Sequence, residues 1–193
     1  MPFEPATERT GIILAGGNHP SSVWHWRPGI SMLAQARRIL ERAGVTGVVV
    51  SGAPNEAQAV ADRPSERGPL GGLASVIEQQ PKLAGHCLVV LPIDMPAINP
   101  RALTRLAEIA EFHGRGARFD LGPLPLALIN APALLESIND VLRNDGALDT
   151  LANQLNLPVL ASLPDDGLDN ARSLDELDQI RLRVDAERTA AAT

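Results

Sequence analysis

"GIILAGGNHPSSVW", residues 11–24, decides how the chain is read. Ile12, Ile13 and Leu14 are apolar at consecutive positions, so the strand they form is buried on both faces. The run then stops in Ala15-Gly16-Gly17, where backbone N–H groups can approach a phosphate closely. A buried strand opening into a glycine turn suits a parallel α/β sheet, whose ligands sit beyond the strand ends. Taken alone, Ala15–Gly17 reads equally well as a plain strand-to-helix turn. The stretch has no Lys or Arg, and the next cation along the chain is Arg27.

Working outward, "TGVVVS" (46–51) and "HCLVVLPI" (86–93) are further buried strands. Helical spacing separates them. Ile30, Leu33, Ala36, Ile39, Leu40 and Ala43 mark a helix over 29–43, stopped by Gly44. A short helix is expected at 55–61, and "LASVIEQQ" forms another after Gly68-Pro69-Leu70-Gly71-Gly72. Asn99 and Pro100 start a helix that runs to about Phe112, with Asn as cap and Pro at the first helical position. Such alternation predicts a mostly parallel sheet with helices on both sides. The second half is less regular: strands at 117–121, 124–130 and 157–162, helices at 132–143 and 147–155, and a last helix from Ser173. With no repeat or dividing linker, residues 1–193 are expected to form one domain, with a frayed tail over 186–193.

Net charge is −6, which argues against a nucleic-acid partner. No apolar run approaches a membrane span, and "MPFEPATERT" lacks the basic and apolar regions of a signal peptide. A lone cysteine, Cys87, excludes an internal disulfide and fits a reducing, cytoplasmic setting. Its place in an apolar strand suggests a small core residue.

Two phosphate-binding patterns fail. No Gly-Lys pair exists for a Walker loop. The glycines lack dinucleotide spacing, and the second strand ends at Ser51-Gly52 with no carboxylate to grip a ribose. Two other features remain. "GPLGG" (68–72) sets a turn at a helix start, where free N–H groups suit an anion or a base edge. "LVVLPIDMP" (88–96) ends a buried strand at Asp94, a carboxylate placed to hold Mg²⁺, which favours oxygen ligands and substrate phosphates. Each of these also has a plain reading, as a turn and as a turn cap.

In this order the three motifs resemble the molybdenum cofactor guanylyltransferase family of nucleotidyltransferases, over roughly Thr10–Arg183. "GIILAGG" looks like its opening strand, "GPLGGLASVI" its Gly-Pro-Leu-Ala-Gly helix start, and "LPIDMPAINP" its Asp-bearing strand end. "PLALIN" (125–130) and "NARSLDEL" (170–177) are similar to later segments. The resemblance implies a three-layer α/β/α sandwich of nucleotide-diphospho-sugar transferase type. It implies transfer of GMP from GTP to the phosphate of a molybdopterin-type acceptor, with Mg²⁺ as cofactor and release of pyrophosphate. Molybdoenzyme maturation proteins would be natural partners. Leu14, Ala15, Gly16, Gly17 and Asn18 would line the guanine and phosphate turn. Asp62 would match a nucleotide-contacting acid, Gly68 would sit near the base, Asp94 would hold the metal, and Asn170 would face the acceptor. The family signature L-A-G-G-x-S-x-R-x-G-x-x-K carries two cations, and "LAGGNHPSSVWHWRPG" carries neither in place. Arg27 is the substitute within reach, so the catalytic candidates are Asp94 and Arg27. The missing cations also motivate an alternative, a non-catalytic nucleotide- or pterin-binding accessory protein of the same fold.

Overall fold

A computed structural model describes residues 8–16, 24–53, 56, 59–62 and 67–191. The first half contains β1 (Arg9–Leu14), β2 (His25–Arg27), β3 (Ile30–Ser31), α1 (Met32–Arg42), β4 (Gly47–Ser51), α2 (Gly68–Gln79) and β5 (Cys87–Pro92). The second contains α3 (Pro100–His113), β6 (Gly116–Phe119), β7 (Leu126–Ile129), α4 (Leu134–Arg143), α5 (Leu148–Gln154), β8 (Val159–Leu160) and α6 (Leu174–Ala191). Among the described residues the central sheet has the order β4-β1-β5-β7-β6-β8, and β2 and β3 form a separate hairpin. The strands β4, β1 and β5 are parallel, and β6 is parallel to β8. Only β7 runs against its neighbours. This is the mostly parallel α/β sheet expected from the sequence.

Strand alternation divides the core into two layers. Ile13, Cys87, Val89, Leu91 and Ala127 face Met32, Ala36 and Leu40 of α1, Leu103 and Leu106 of α3, and Leu177 and Ile180 of α6. Ile12, Leu14, Leu88, Val90, Leu126 and Leu128 face Leu70, Leu73 and Val76 of α2, Ile138 and Val141 of α4, and Leu151 of α5. Two apolar faces on one strand are why its sequence reads as a continuous apolar run. No described helix is long and apolar enough to cross a membrane.

Cys87 is fully buried, and that burial pushes its thiol up to about 12. Thiol reagents attack the thiolate. The native protein is therefore expected to give a negligible thiol titre at neutral pH, and one equivalent per chain in denaturant. A fast native reaction would contradict this packing.

Several boundaries differ from the sequence reading. The helix expected over 29–43 begins at Met32, because His25–Ser31 folds into the β2–β3 hairpin and Ser31 caps α1 by accepting from the Ala34 amide at 3.1 Å. "GPLGG" does not precede a helix but forms the first turn of α2, with Pro69 in a position where no amide is needed. Of the helix expected at 55–61 only part is described, and there Val60 pairs with Ser51 as a parallel bridge. The cap at Asn99 is as expected, its side chain accepting from the Arg101 amide at 3.0 Å. The last helix continues to Ala191.

Candidate functional site

The parallel strands β4, β1 and β5 end level with one another, Leu14 pairing with Ser51 on one side and Pro92 on the other. The Ala15 amide continues the ladder to the Ser51 carbonyl (2.9 Å), and the Ile93 amide reaches the Leu14 carbonyl (3.1 Å). Chain segments leaving this edge therefore stand side by side. Gly16 lies directly against Gly52: a Cβ on Gly52 would stand 2.2 Å from the Gly16 Cα, and Gly52 has φ +75°. Only glycine fits so close a crossing in that conformation.

Asp62 completes this corner. The Ser51 hydroxyl donates to Asp62 Oδ1 and lies 3.2 Å from the Gly72 carbonyl. The other carboxylate oxygen, Oδ2, stands 2.1 Å from where a Gly16 Cβ would be. The second strand has no acid of its own, but the Val60 bridge returns the chain to its end and delivers Asp62 there. Gly68, at the start of α2, has φ +60° and open space where a Cβ would point. Leu14 and Ala15 are nearly buried beneath the corner. Gly17 and Asn18, named from the sequence, lie outside the described residues.

On the β5 side, Asp94 is half-buried in the turn that follows the strand, and its carbonyl accepts from the Ala171 amide at 2.7 Å. Asn170, 76 residues on by sequence, is thereby brought beside it. The Asn170 Oδ1 atom is buried and has no hydrogen-bond partner among the described residues. A buried carbonyl oxygen left bare is costly unless a ligand or water satisfies it.

Arg27 sits elsewhere. It projects from β2 onto α6, its NH2 2.5 Å from Asp185 Oδ1 and its NH1 3.3 Å from Oδ2, with the guanidinium 5.3 Å from the Trp26 ring centroid. Arg181 of α6 donates to the carbonyls of both Trp26 (2.7 Å) and His25, so the hairpin is held to α6 at three points. Arg27 hydrogen bonds hold the Asp185 carboxyl below the usual carboxylate range. A depressed acid contributes its stabilisation above its unfolded value and loses it as pH falls through the folded one, so the pair is intact at neutral pH. Arg27 lines a cavity of about 750 Å³ together with Gln35, Arg38, Asn99 and Arg188. Leu14, Gly16, Asp62, Asp94 and Asn170 are not among its walls.

The sequence profile of the MobA-like NTP transferase domain matches residues 11–159. The chain belongs to that family. A curated relative, the molybdenum cofactor guanylyltransferase of Xanthomonas euvesicatoria pv. vesicatoria, is 38% identical over 126 residues. The match covers 62% of this chain and 63% of that protein, so it spans less than two thirds of the relative's length. Among solved structures, the 2-C-methyl-D-erythritol 4-phosphate cytidylyltransferase of Francisella tularensis superposes with TM-score 0.70 at 10% identity, covering 91% of this chain and 99% of that one. Rv0371c of Mycobacterium tuberculosis H37Rv, in complex with manganese, superposes with TM-score 0.57 at 19% identity, covering 91% and 98%. These two show a shared fold.

At the β5 end of the strand edge the structure sets Asp94 beside the backbone segment that carries Asn170, and both side chains carry hard oxygen donors. No group of three His, Cys, Asp or Glu suited to a metal occurs among the described residues. A sparse all-oxygen set fits Mg²⁺, which keeps water and takes phosphate oxygens rather than a full protein cage. The profile match ends before Asn170 and α6. At the end of β4 the sequence offers Ser51 in place of a carboxylate. The hydroxyl there was the available sign that a carboxylate from elsewhere could dock.

Proposed function

We propose that this chain is a nucleotidyltransferase that moves GMP from GTP to the phosphate of a molybdopterin-type acceptor. The observation that carries the reading is the strand edge on which Asp62 and the Gly16–Gly52 crossing stand on one side and Asp94 with Asn170 on the other. The nucleotide lies over β1 and β4, its phosphates at the glycine turn that opens with Ala15-Gly16, where backbone N–H groups suit a phosphate. Asp62 accepts from nucleotide N–H or O–H groups, held in orientation by Ser51. Gly68 leaves room for the base. Asn170 stands on the acceptor side of Asp94.

In the reaction an acceptor phosphate oxygen attacks the α-phosphorus in line. A bond forms from that oxygen to phosphorus, the bond between phosphorus and the α–β bridging oxygen breaks, and pyrophosphate leaves. Asp94, with the Asn170 oxygen, would hold Mg²⁺, which when bound offsets phosphate charge and orients the leaving group. Positioning by the chain supplies the remainder, since phosphoryl transfer depends mainly on placement and electrostatics.

The test is pyrophosphate release with GTP, CTP or ATP, each with and without molybdopterin. Release with GTP and acceptor together is the expected result. No release with any nucleotide would overturn the transfer reading and leave the accessory role.

Arg27 is proposed to clamp the phosphates in place of the signature cations, which requires it to leave Asp185. Arg27→Ala is then expected to raise the KM for GTP about tenfold, the worth of one charge-assisted contact. Asp185→Asn, which frees the guanidinium, is expected to lower it. Unchanged KM in both variants would remove Arg27 from the mechanism.

A further inference from the structure

Asn170 reaches Asp94 on a loop that joins β8 to α6, and this loop is organised around one buried carboxylate. Asp166 is 3% exposed. Its Oδ2 accepts from Arg105 of α3 at 2.9 Å and from the Leu163 amide at 2.7 Å. Its carbonyl accepts from the Asn99 amide at 2.8 Å, while the Asn99 side chain donates to the Asp165 carbonyl at 3.2 Å. Asn99 therefore caps α3 with its oxygen and grips the loop with both of its nitrogens. One step on, Gly167 presses on the Ala97 carbonyl: with φ +66°, a Cβ there would stand 2.3 Å from that oxygen. The last contact is the Ala171 amide on the Asp94 carbonyl.

The contacts fall in reverse order along the two segments, Asp166 on Asn99, Gly167 on Ala97 and Ala171 on Asp94. The loop thus lies antiparallel along the segment that follows β5. Its far end is pinned by Asp166 and its near end carries Asn170. Arg105 is itself fixed, its guanidinium 5.6 Å from the Phe119 ring centroid. Only the Asp166 end of this ion pair is buried; such a pair is a poor source of net stability but specifies one geometry, because any other leaves the buried carboxylate unpaired. The cluster takes no part in the chemistry described above.

We propose that Asp166, with Arg105, is a positioning residue for the metal site: the pair sets the register of the loop on the segment after β5, and so the spacing of the Asn170 and Asp94 oxygens. The inference rests on the metal-binding reading of those two side chains. Outer groups that orient metal-binding residues are worth roughly 10–100-fold in metal affinity.

The test uses the full chain and Mn²⁺ as probe, with free Mn²⁺ read by electron paramagnetic resonance in the presence of GTP. GTP affinity without metal and the melting temperature are measured in parallel. Asp166→Asn and Arg105→Gln are expected to weaken Mn²⁺ binding at least about tenfold and to leave metal-free GTP affinity unchanged. Arg105→Lys, which restores the charge, is expected to recover part of the loss. Arg105 lies at the surface side of the pair, so Arg105→Gln keeps the question open to measurement if Asp166→Asn does not fold. Wild-type Mn²⁺ affinity in Arg105→Gln, or equal losses of Mn²⁺ and metal-free GTP binding, would overturn the inference. Wild-type protein that binds Mn²⁺ no better than Asp94→Ala would instead overturn the metal reading itself.

Discussion

Asp94→Ala is expected to lower pyrophosphate release by at least about 10²–10³-fold, because it removes the carboxylate proposed to hold the metal between nucleotide and acceptor. The fold should survive. The Asp94 carbonyl accepts from the Ala171 amide, and a substitution at Cβ leaves that bond in place. The side chain is only half-buried and belongs to neither layer of the core. Circular dichroism and the melting temperature should match the wild type while turnover is lost. Equal rates of pyrophosphate release by the two proteins would sink the assignment of Asp94.

Gly52→Ala should have the largest effect on stability. Its Cβ would meet the Gly16 Cα at 2.2 Å and the Gly16 nitrogen at 2.6 Å, and backbone cannot swing aside as a side-chain tip can. The left-handed φ of +75° adds strain of about 1–2 kcal/mol for any residue with a Cβ. Together these should cost about 3–5 kcal/mol, a melting point lower by roughly 10 °C or more. Gly16→Ala makes a different demand. Its nearest obstacle is Asp62 Oδ2, the end of a side chain, at 2.1 Å. That carboxylate can move, at a cost to stability of about 1–2 kcal/mol, but in moving it leaves Ser51. Gly16→Ala is thus expected to fold and to bind GTP poorly. Calorimetric titration beside thermal melts separates the two variants. A Gly52→Ala protein that melts with the wild type would mean that the two loops do not cross as described.

Much of this was legible in the sequence, for local reasons. Continuous apolar runs such as Gly11–Leu14 and Cys87–Leu91 announce strands covered on both faces, and the helical spacing between them announces the covering layers. The Asn99–Pro100 start of α3 is visible because a cap and a fixed φ act within one turn. The hairpin before α1 was not, since His25–Arg27 and Ile30–Ser31 are too short to show a period, and the first of them is held by Arg181, far along the chain.

The strand edge divides in the same way. Sequence alone determined that a glycine turn, a glycine-rich helix start and an Asp-bearing strand end follow one another in a nucleotidyltransferase order, because each is a short motif with local backbone requirements. Only the tertiary structure decided which residues are brought to that edge. Asp62 reaches the end of a strand that carries no acid because Val60 bridges back to Ser51. Asn170 reaches Asp94 because Asp166, Asn99 and Gly167 bind one loop against another. The cation nearest the turn by sequence, Arg27, is drawn to α6 because Asp185 offers it a carboxylate there. Each is a contact between residues distant along the chain, set by packing and charge pairing that no local pattern records.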